Sequence, residues 1–473
     1  MTQSTVVIAC DTFAPDHNGT ATFAKNLACG LQLQGFEVHV IAPATSRLYG
    51  TFRESHDGVP LVVHRLKSYR LPFQPTQRFV SPAGLTKRIS GLVQAINPQV
   101  IHVQSHINVG FHAAKAALAN KVRLVATNHV DAESLVENVL LIPEFLKRFI
   151  SDQLIKSASS VFRSADTVIA PTLRSAQLLK SVIADVEVSS ISGGVDVSKY
   201  IQLPGGSQTR KTITYLGRLD REKHVYVLLE ALAKLPKEYR LELLGSGSQE
   251  SELSKLANEL GVSIRVDFHD DLDDDQVIER LGNSSVFVMP STQELQSMAT
   301  LEAMAAGLPI VAADSMALPN LVENGVNGFL FKPDSPIDLA EKLQAIFSLT
   351  ADEYSRFVKS SRMKAAEHDL SKTVENYIRV YEGKPLLKSS ISGDPEYAPE
   401  PTVTERIGNL VRKSSKSLER GANGVLERLD GARGSVIETF NDVRFTIERR
   451  GKRVSKKLSS SLRKALERIR RDD

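Results

Sequence analysis

Short β-rich runs alternate with helical stretches along this chain, twice over, and that alternation restricts it to few folds. In the first 200 residues the runs at 6–9, 37–42, 61–63, 100–104, 124–128, 167–170 and 187–190 read as strands. Between them apolar residues recur at helical spacing, as at Phe23, Leu27, Leu31 and Leu33. A second series follows at 212–216, 240–244, 264–268, 286–289 and 310–313. Strands that alternate with helices build a mostly parallel sheet covered on both faces. Two such series predict an α/β architecture of two Rossmann-like, doubly wound domains facing a cleft, with ligands at the carboxyl ends of the strands. The expected domains are 1–196 and 197–382. The stretch Gln202-Leu203-Pro204-Gly205-Gly206-Ser207-Gln208 reads as a linker or hinge. Residues 335–383 read as helical, with Leu339, Leu343 and Ile346 on one face, and the part from about 365 to 383 is expected to cross back to the first domain.

The remainder is different in kind. Residues 383–403 are Pro-rich and polar, the composition of a spacer. Residues 404–473 read as a basic amphipathic helical tail. Its last stretch repeats Val454, Leu458, Leu462, Leu466 and Ile469 at steps of three or four, with Lys456, Lys457, Arg463, Lys464, Arg468, Arg470 and Arg471 on the remaining surface. From Lys384 to Asp473 there are 21 Lys and Arg against 13 Asp and Glu, a balance of +8 within a whole-chain charge of +4, so the body carries −4. A mildly acidic body is a poor non-specific binder of nucleic acid, and no nucleic-acid partner is expected. No run approaches the ~18–20 uncharged apolar residues of a membrane span. Met1-Thr2-Gln3-Ser4 lacks a basic n-region and leads into a buried-strand pattern, which argues against a secretory signal. Cys10 and Cys29, the two cysteines, suit a reducing cytosol and exclude a disulfide framework.

Four segments carry candidate chemistry. In the first, Glu294 and Glu302 flank Leu295-Gln296-Ser297-Met298-Ala299-Thr300-Leu301 at an apparent strand-to-helix turn. Such a turn exposes free backbone N–H groups, and carboxylates there can hold sugar hydroxyls. In the second, Gly217 ends a strand, and Arg218 and Lys223 follow five residues apart. Two fixed cations suit a diphosphate and stabilise charge on a departing nucleotide, and Arg can bind two oxygens at once. The third, Asp11 to Thr22, follows the first strand and opens a helix, with Gly19 at an anion-favouring helix start. The fourth is Thr127-Asn128-His129 at a strand end, with Asp131 close behind. Each has a plainer reading: solvated glutamates, surface cations, an ordinary βα turn and a capping histidine.

Together these motifs resemble the Glu-x7-Glu and Gly-Arg-x4-Lys signatures of retaining GT-B glycosyltransferases, the large family 4 type that includes phosphatidylinositol mannosyltransferases and glycolipid synthases. The run Glu302-Ala303-Met304-Ala305-Ala306-Gly307-Leu308-Pro309 extends the match. The resemblance covers about 380 residues, all but the tail. Many relatives have Gly where Ser297 stands, and Gly where His224 follows the lysine. The resemblance implies a GT-B fold and catalytic roles for His129, Arg218, Lys223 and Glu294. It further implies donor contacts from Gly19, Gly217, Gln296, Ser297, Met298 and Glu302. Ser192-Gly193-Gly194-Val195-Asp196 resembles the Gly-Val-Asp turn leading into the family's hinge and is expected to be structural.

The implied activity is metal-independent retaining transfer of a hexose from a nucleotide diphosphate sugar, with GDP-mannose and UDP-glucose as leading donors and no cofactor beyond that substrate. Asp270-Asp271 and Asp273-Asp274-Asp275 read as a loop and helix start, not as metal ligands. The basic tail points to an anionic membrane surface contacted by residues 404–473, hence a lipid-linked acceptor and a peripheral place on the cytoplasmic face of the plasma membrane. The competing readings are a non-catalytic GT-B-fold scaffold recruited to membranes by its tail, and a tail that binds a partner helix or itself.

Overall fold

A computed structural model describes residues 4–16, 18–71, 74–129, 155–183, 185–270 and 272–387. The tail 404–473, most of the spacer before it, and Asp131 lie outside the described residues.

The N-terminal lobe is built on an eight-stranded sheet in the order β10-β9-β8-β7-β1-β2-β4-β3. Its strands are β1 (Thr5–Ala9), β2 (Glu37–Pro43), β3 (Gly50–His56), β4 (Val59–Leu66), β7 (Val100–Val103), β8 (Arg123–Thr127), β9 (Thr167–Ala170) and β10 (Val188–Ser190). All pair in parallel except β3, which runs antiparallel to β4. A separate antiparallel pair, β5 (Ser68–Leu71) with β6 (Gln74–Val80), follows β4. Burial explains the continuous apolar strands. Val6 and Ile8 of β1 pack into one core with Phe23, Leu27 and Leu31, while Val7 and Ala9 enter the core on the opposite face. Leu33 lies off that stripe and is 73% exposed, because two residues past Leu31 is about 200° around the helix.

The C-terminal lobe is a six-stranded, all-parallel sheet in the order β13-β12-β11-β14-β15-β16. The strands are β11 (Thr212–Leu216), β12 (Arg240–Leu244), β13 (Val266–His269), β14 (Val286–Met289), β15 (Ile310–Ala313) and β16 (Gly328–Phe331). Numbered within the lobe this is 3-2-1-4-5-6, with the order reversing between β11 and β14. A crevice opens at that reversal, above the carboxyl ends. Gly217-Arg218 leaves β11 there, and the segment reaching Glu294 leaves β14.

The chain crosses between lobes at two adjacent points. Val195 N–H donates to the His368 carbonyl at 2.9 Å, and Leu370 N–H donates to the Val195 carbonyl at 3.0 Å. The crossing therefore lies at 192–196, not in the Gly/Pro stretch 202–208, which packs on the C-terminal lobe through Gly206 N–H to Gly307 O and Ser207 N–H to Ser284 O. After the second crossing, the helix Leu370–Tyr381 places Val374, Tyr377 and Tyr381 in the N-terminal core.

One close approach fixes the loop after β7. A Cβ on Gly110, in the helix Val109–Asn120, would lie 2.0 Å from the Ser105 carbonyl oxygen. Backbone cannot yield there as a side chain would. Gly110→Ala is expected to cost about 3 kcal/mol in a denaturant titration.

Candidate active site

Between the lobes lies a cleft of about 540 Å³, and nine of the ten predicted site residues line it: Gly19, Gly217, Arg218, Lys223, Glu294, Gln296, Ser297, Met298 and Glu302. Two helices aim their N-termini into this space. Asn18 caps the helix Gly19–Leu33 by accepting from Ala21 N–H at 3.0 Å. Across the cleft, Ser297 caps the helix Met298–Ala305 through Thr300 N–H at 3.3 Å. A Cβ on Gly19 would stand 3.7 Å from Met298 Cγ, so the two starts face each other closely. Both ends carry partial positive charge suited to an anion.

The cations are not idle. Arg218 Nη2 lies 2.5 Å from Glu222 Oε1, and Nη1 pairs with Asp220. Lys223 Nζ lies 2.7 Å from Glu294 Oε1, within a pair whose side chains are 18% and 10% exposed. Gly217 sits at φ +150°, where a Cβ would meet the Tyr215 hydroxyl at 2.8 Å, so the strand can turn sharply into Arg218. His224 occupies the position after the lysine at φ +52°, which accounts for the glycine of many relatives; Asp334 holds its ring at 2.5 Å.

Gln296 is spent on the hinge. Its Oε1 accepts from Gly193 N–H at 2.6 Å, and its amide donates to Ser192 Oγ at 2.8 Å. It lines the cleft, yet both ends are committed to the lobe crossing. His129, the tenth predicted residue, is not among the cleft walls. Its ring packs 4.5 Å from Phe23, and Nε2 lies 2.8 Å from Gln104 Oε1. Desolvation pushes its pKa down to about 3, so the imidazole is neutral at physiological pH. Behind it runs a buried polar chain: Gln104 reaches His102, whose ring bonds Thr127 and Tyr381 at 2.7 Å each.

Other charged residues at the cleft carry no motif. Lys25 of the first helix reaches Asp274 across the cleft at 2.6 Å and Asp57 at 3.3 Å, and Lys199 also holds Asp57, at 2.9 Å. Asp273 caps the helix Asp274–Gly282, so Asp273-Asp274-Asp275 is a helix start; Asp271 lies outside the described residues. Burial, then the neighbouring Asp274 charge, pushes the Glu302 carboxyl up to about 7.

Two family models match adjoining parts of the chain: Glycosyltransferase Family 4 over residues 17–199, and Glycosyl transferases group 1 over 199–364. A D-inositol 3-phosphate glycosyltransferase of Streptomyces scabiei is 30% identical over 361 residues, 69% of this chain and 78% of that one. The chain belongs to the family 4 glycosyltransferases. As a member it has the GT-B fold and transfers a sugar from a nucleotide sugar. It is also similar to the sulfoquinovosyl transferase SQD2 of Arabidopsis thaliana, 27% identical over 67% of this chain and 63% of the relative, so it spans just under two thirds of that protein. The alpha-monoglucosyldiacylglycerol synthase of Streptococcus pneumoniae is 22% identical over 85% of this glycosyltransferase and 90% of its own length. The crystal structure of Anabaena Alr3699/HepE in complex with UDP and glucose has the same fold, with TM-score 0.63 and 18% identity over 80% of this chain and 100% of that one. No helix among the described residues is long and apolar enough to cross a membrane.

Proposed function

We propose that this glycosyltransferase moves a hexose, with retention, from GDP-mannose or UDP-glucose to a lipid-linked acceptor at an anionic membrane surface. The observation that carries the reading is the convergence of Arg218, Lys223, Glu294, Glu302 and two helix N-termini on one interlobe cleft. In it, Arg218 and Lys223 take the diphosphate, Glu294 the sugar hydroxyls and Glu302 the ribose. The anomeric carbon–oxygen bond breaks toward the diphosphate. The acceptor oxygen joins the same face of the sugar, and its proton passes to the leaving phosphate oxygen. The cations and helix starts supply the charge the leaving group needs, without calling on a metal. His129, neutral and held by Gln104 against Phe23 behind the cleft, supplies no charge to the reaction. The diacylglycerol named in the Streptococcus relative and the basic segment 404–473 support a lipid acceptor at the cytoplasmic membrane face.

Thermal shift with a panel of nucleotide sugars tests the donor, since a ligand at 100 times its Kd adds about 2.7 kcal/mol of stability. Transfer to lipid extracts with the stabilising donor then tests the acceptor. A panel in which no nucleotide sugar raises the melting temperature would sink the reading.

The raised Glu302 pKa gives a pH signature. The folded cleft holds this proton more tightly than the unfolded chain, whose ordinary value is 4.5. That stabilisation is full below about pH 4.5 and is lost as pH rises through about 7. Ribose hydroxyls donate to the ionised carboxylate, so donor binding should release a proton, and affinity should rise about tenfold per pH unit as pH climbs toward 7. The diphosphate of an intact nucleotide sugar, esterified at both ends, does not titrate there. Calorimetry in two buffers of different ionisation enthalpy reads the proton, and Glu302→Gln should flatten the profile.

A further inference from the structure

The mildly acidic body conceals a one-sided surface on the N-terminal lobe. Residues 58–130 contain nine Lys and Arg and no Asp or Glu. Part of this charge gathers at a surface pocket of about 700 Å³ lined by Arg47, Tyr49, Lys67, Tyr69, Arg70 and Arg78. Arg78 is structural: it donates to the Thr45 carbonyl and to Ser68 Oγ, tying the β5–β6 pair to the segment after β2. Arg47, Lys67 and Arg70 have no carboxylate partner among the described residues. The Lys67 ammonium lies 5.9 Å from the Tyr49 ring centre and 5.8 Å from that of Tyr69. Beside these cations, Leu48 is 71% exposed, Tyr69 51%, and Phe79 is exposed as well.

Topology places this pocket with respect to the cleft. The pocket is formed where the chain leaves β2 at Pro43 and β4 at Leu66. Both strands run parallel to β1, whose carboxyl end leads to Gly19. The pocket therefore sits on the same rim of the sheet as the cleft mouth, two strand spacings along, or about 10 Å.

Cations that no described carboxylate neutralises, beside exposed aliphatic and aromatic side chains, match a bilayer interface. Cations meet anionic headgroups, tyrosines sit at their level, and apolar side chains reach below. A free phosphate would use the cations and leave Leu48 and Phe79 without a role. We infer that this rim, residues 45–49 and 67–70 with Arg78 and Phe79, docks on an anionic lipid bilayer, so that the acceptor lobe itself meets the membrane beside its cleft. The purpose of such docking rests on the lipid-acceptor reading, but its test does not.

In the full chain, Arg47→Gln, Lys67→Gln and Arg70→Gln together should weaken binding to phosphatidylglycerol vesicles by about 100-fold, at about fivefold per cation. Donor hydrolysis should stay unchanged, since none of the three is in the cleft. Vesicle binding equal to that of the parent protein would overturn the proposal and assign all attachment to other segments. The chain has no tryptophan, so Tyr69→Trp adds a single reporter. Its emission should shift to the blue with phosphatidylglycerol vesicles and stay fixed with phosphatidylcholine vesicles. Emission that ignores anionic vesicles, that moves as far with glycerol 3-phosphate, or that shifts with protein concentration alone would each overturn docking. If the rim binds vesicles but no lipid accepts sugar, the acceptor reading fails and the surface stands. If lipid is glycosylated while the triple variant binds unchanged, the surface fails and the acceptor stands.

Discussion

Arg218→Ala is expected to lower kcat/KM for sugar transfer by at least about 10³-fold, more than loss of one hydrogen-bond donor to a developing charge usually costs. The excess follows from what the guanidinium leaves behind. Asp220 and Glu222 both pair with it, and Ser248 also donates to Asp220, holding that carboxylate in place. Without the arginine, two acidic groups would face the diphosphate in the proposed donor site. Arg218→Lys should rescue poorly, because one ammonium cannot span both carboxylates or grip two phosphate oxygens in a plane. Adding Glu222→Gln to Arg218→Ala should restore about tenfold, the scale of coupling between neighbouring charges. The fold should be little affected, since the arginine is 35% exposed and its pairs are partly solvated. Steady-state transfer assays with a melting curve for each variant decide the matter. Near-normal turnover of Arg218→Ala would remove it from the donor site.

The sequence made the parallel sheets legible because their strands are buried on both faces and read as unbroken apolar runs. Strands without that signature escaped. β3 is mostly exposed and polar, Gly-Thr-Phe-Arg-Glu-Ser-His, and pairs at a sheet edge. The β5–β6 pair stands outside either main sheet, and β16 is a four-residue edge strand that opens on Gly328. Edge strands lack one neighbour, so burial presses less on their composition. The start of β13 moved for a different reason: Ser263–Arg265 forms a 3₁₀ turn, and Arg265 is buried with its guanidinium donating to the Leu232 and Pro236 carbonyls.

For the cleft, the spacing of the motifs could be seen in the sequence, but their partners could not. Lys223 and Glu294 meet, and Arg218 lines the same cleft, because the strand order reverses between β11 and β14, a fact of topology that residue spacing does not carry. Lys25 and Asp274 are separated by 249 residues and belong to different lobes. Either alone is an ordinary helix-surface charge. Gln296 lay within a recognised motif, yet its commitment to Ser192 and Gly193 depends on how the second lobe folds back on the first.

The Lys223–Glu294 pair separates stability from chemistry. Glu294 is 8% exposed overall, and the lysine ammonium at 2.7 Å is the charge that balances it. Lys223→Met should destabilise the unliganded protein by about 3 kcal/mol, because an acid is left buried without its cation. Glu294→Gln should be milder, since a lysine can extend its ammonium toward water along a flexible stem. Combining the two removes both charges and should return the melting temperature close to that of the parent protein. Activity should not follow. Each single change should reduce transfer by about 10²-fold or more, and the double variant should stay at least as impaired, since the proposed site uses the lysine for the diphosphate and the glutamate for the sugar. Denaturant titrations and transfer rates on the same four proteins form the cycle. If turnover recovers together with stability, the pair serves the fold and the donor is held by other groups. If stability alone recovers, the pair exchanges its internal salt bridge for the two halves of the bound nucleotide sugar.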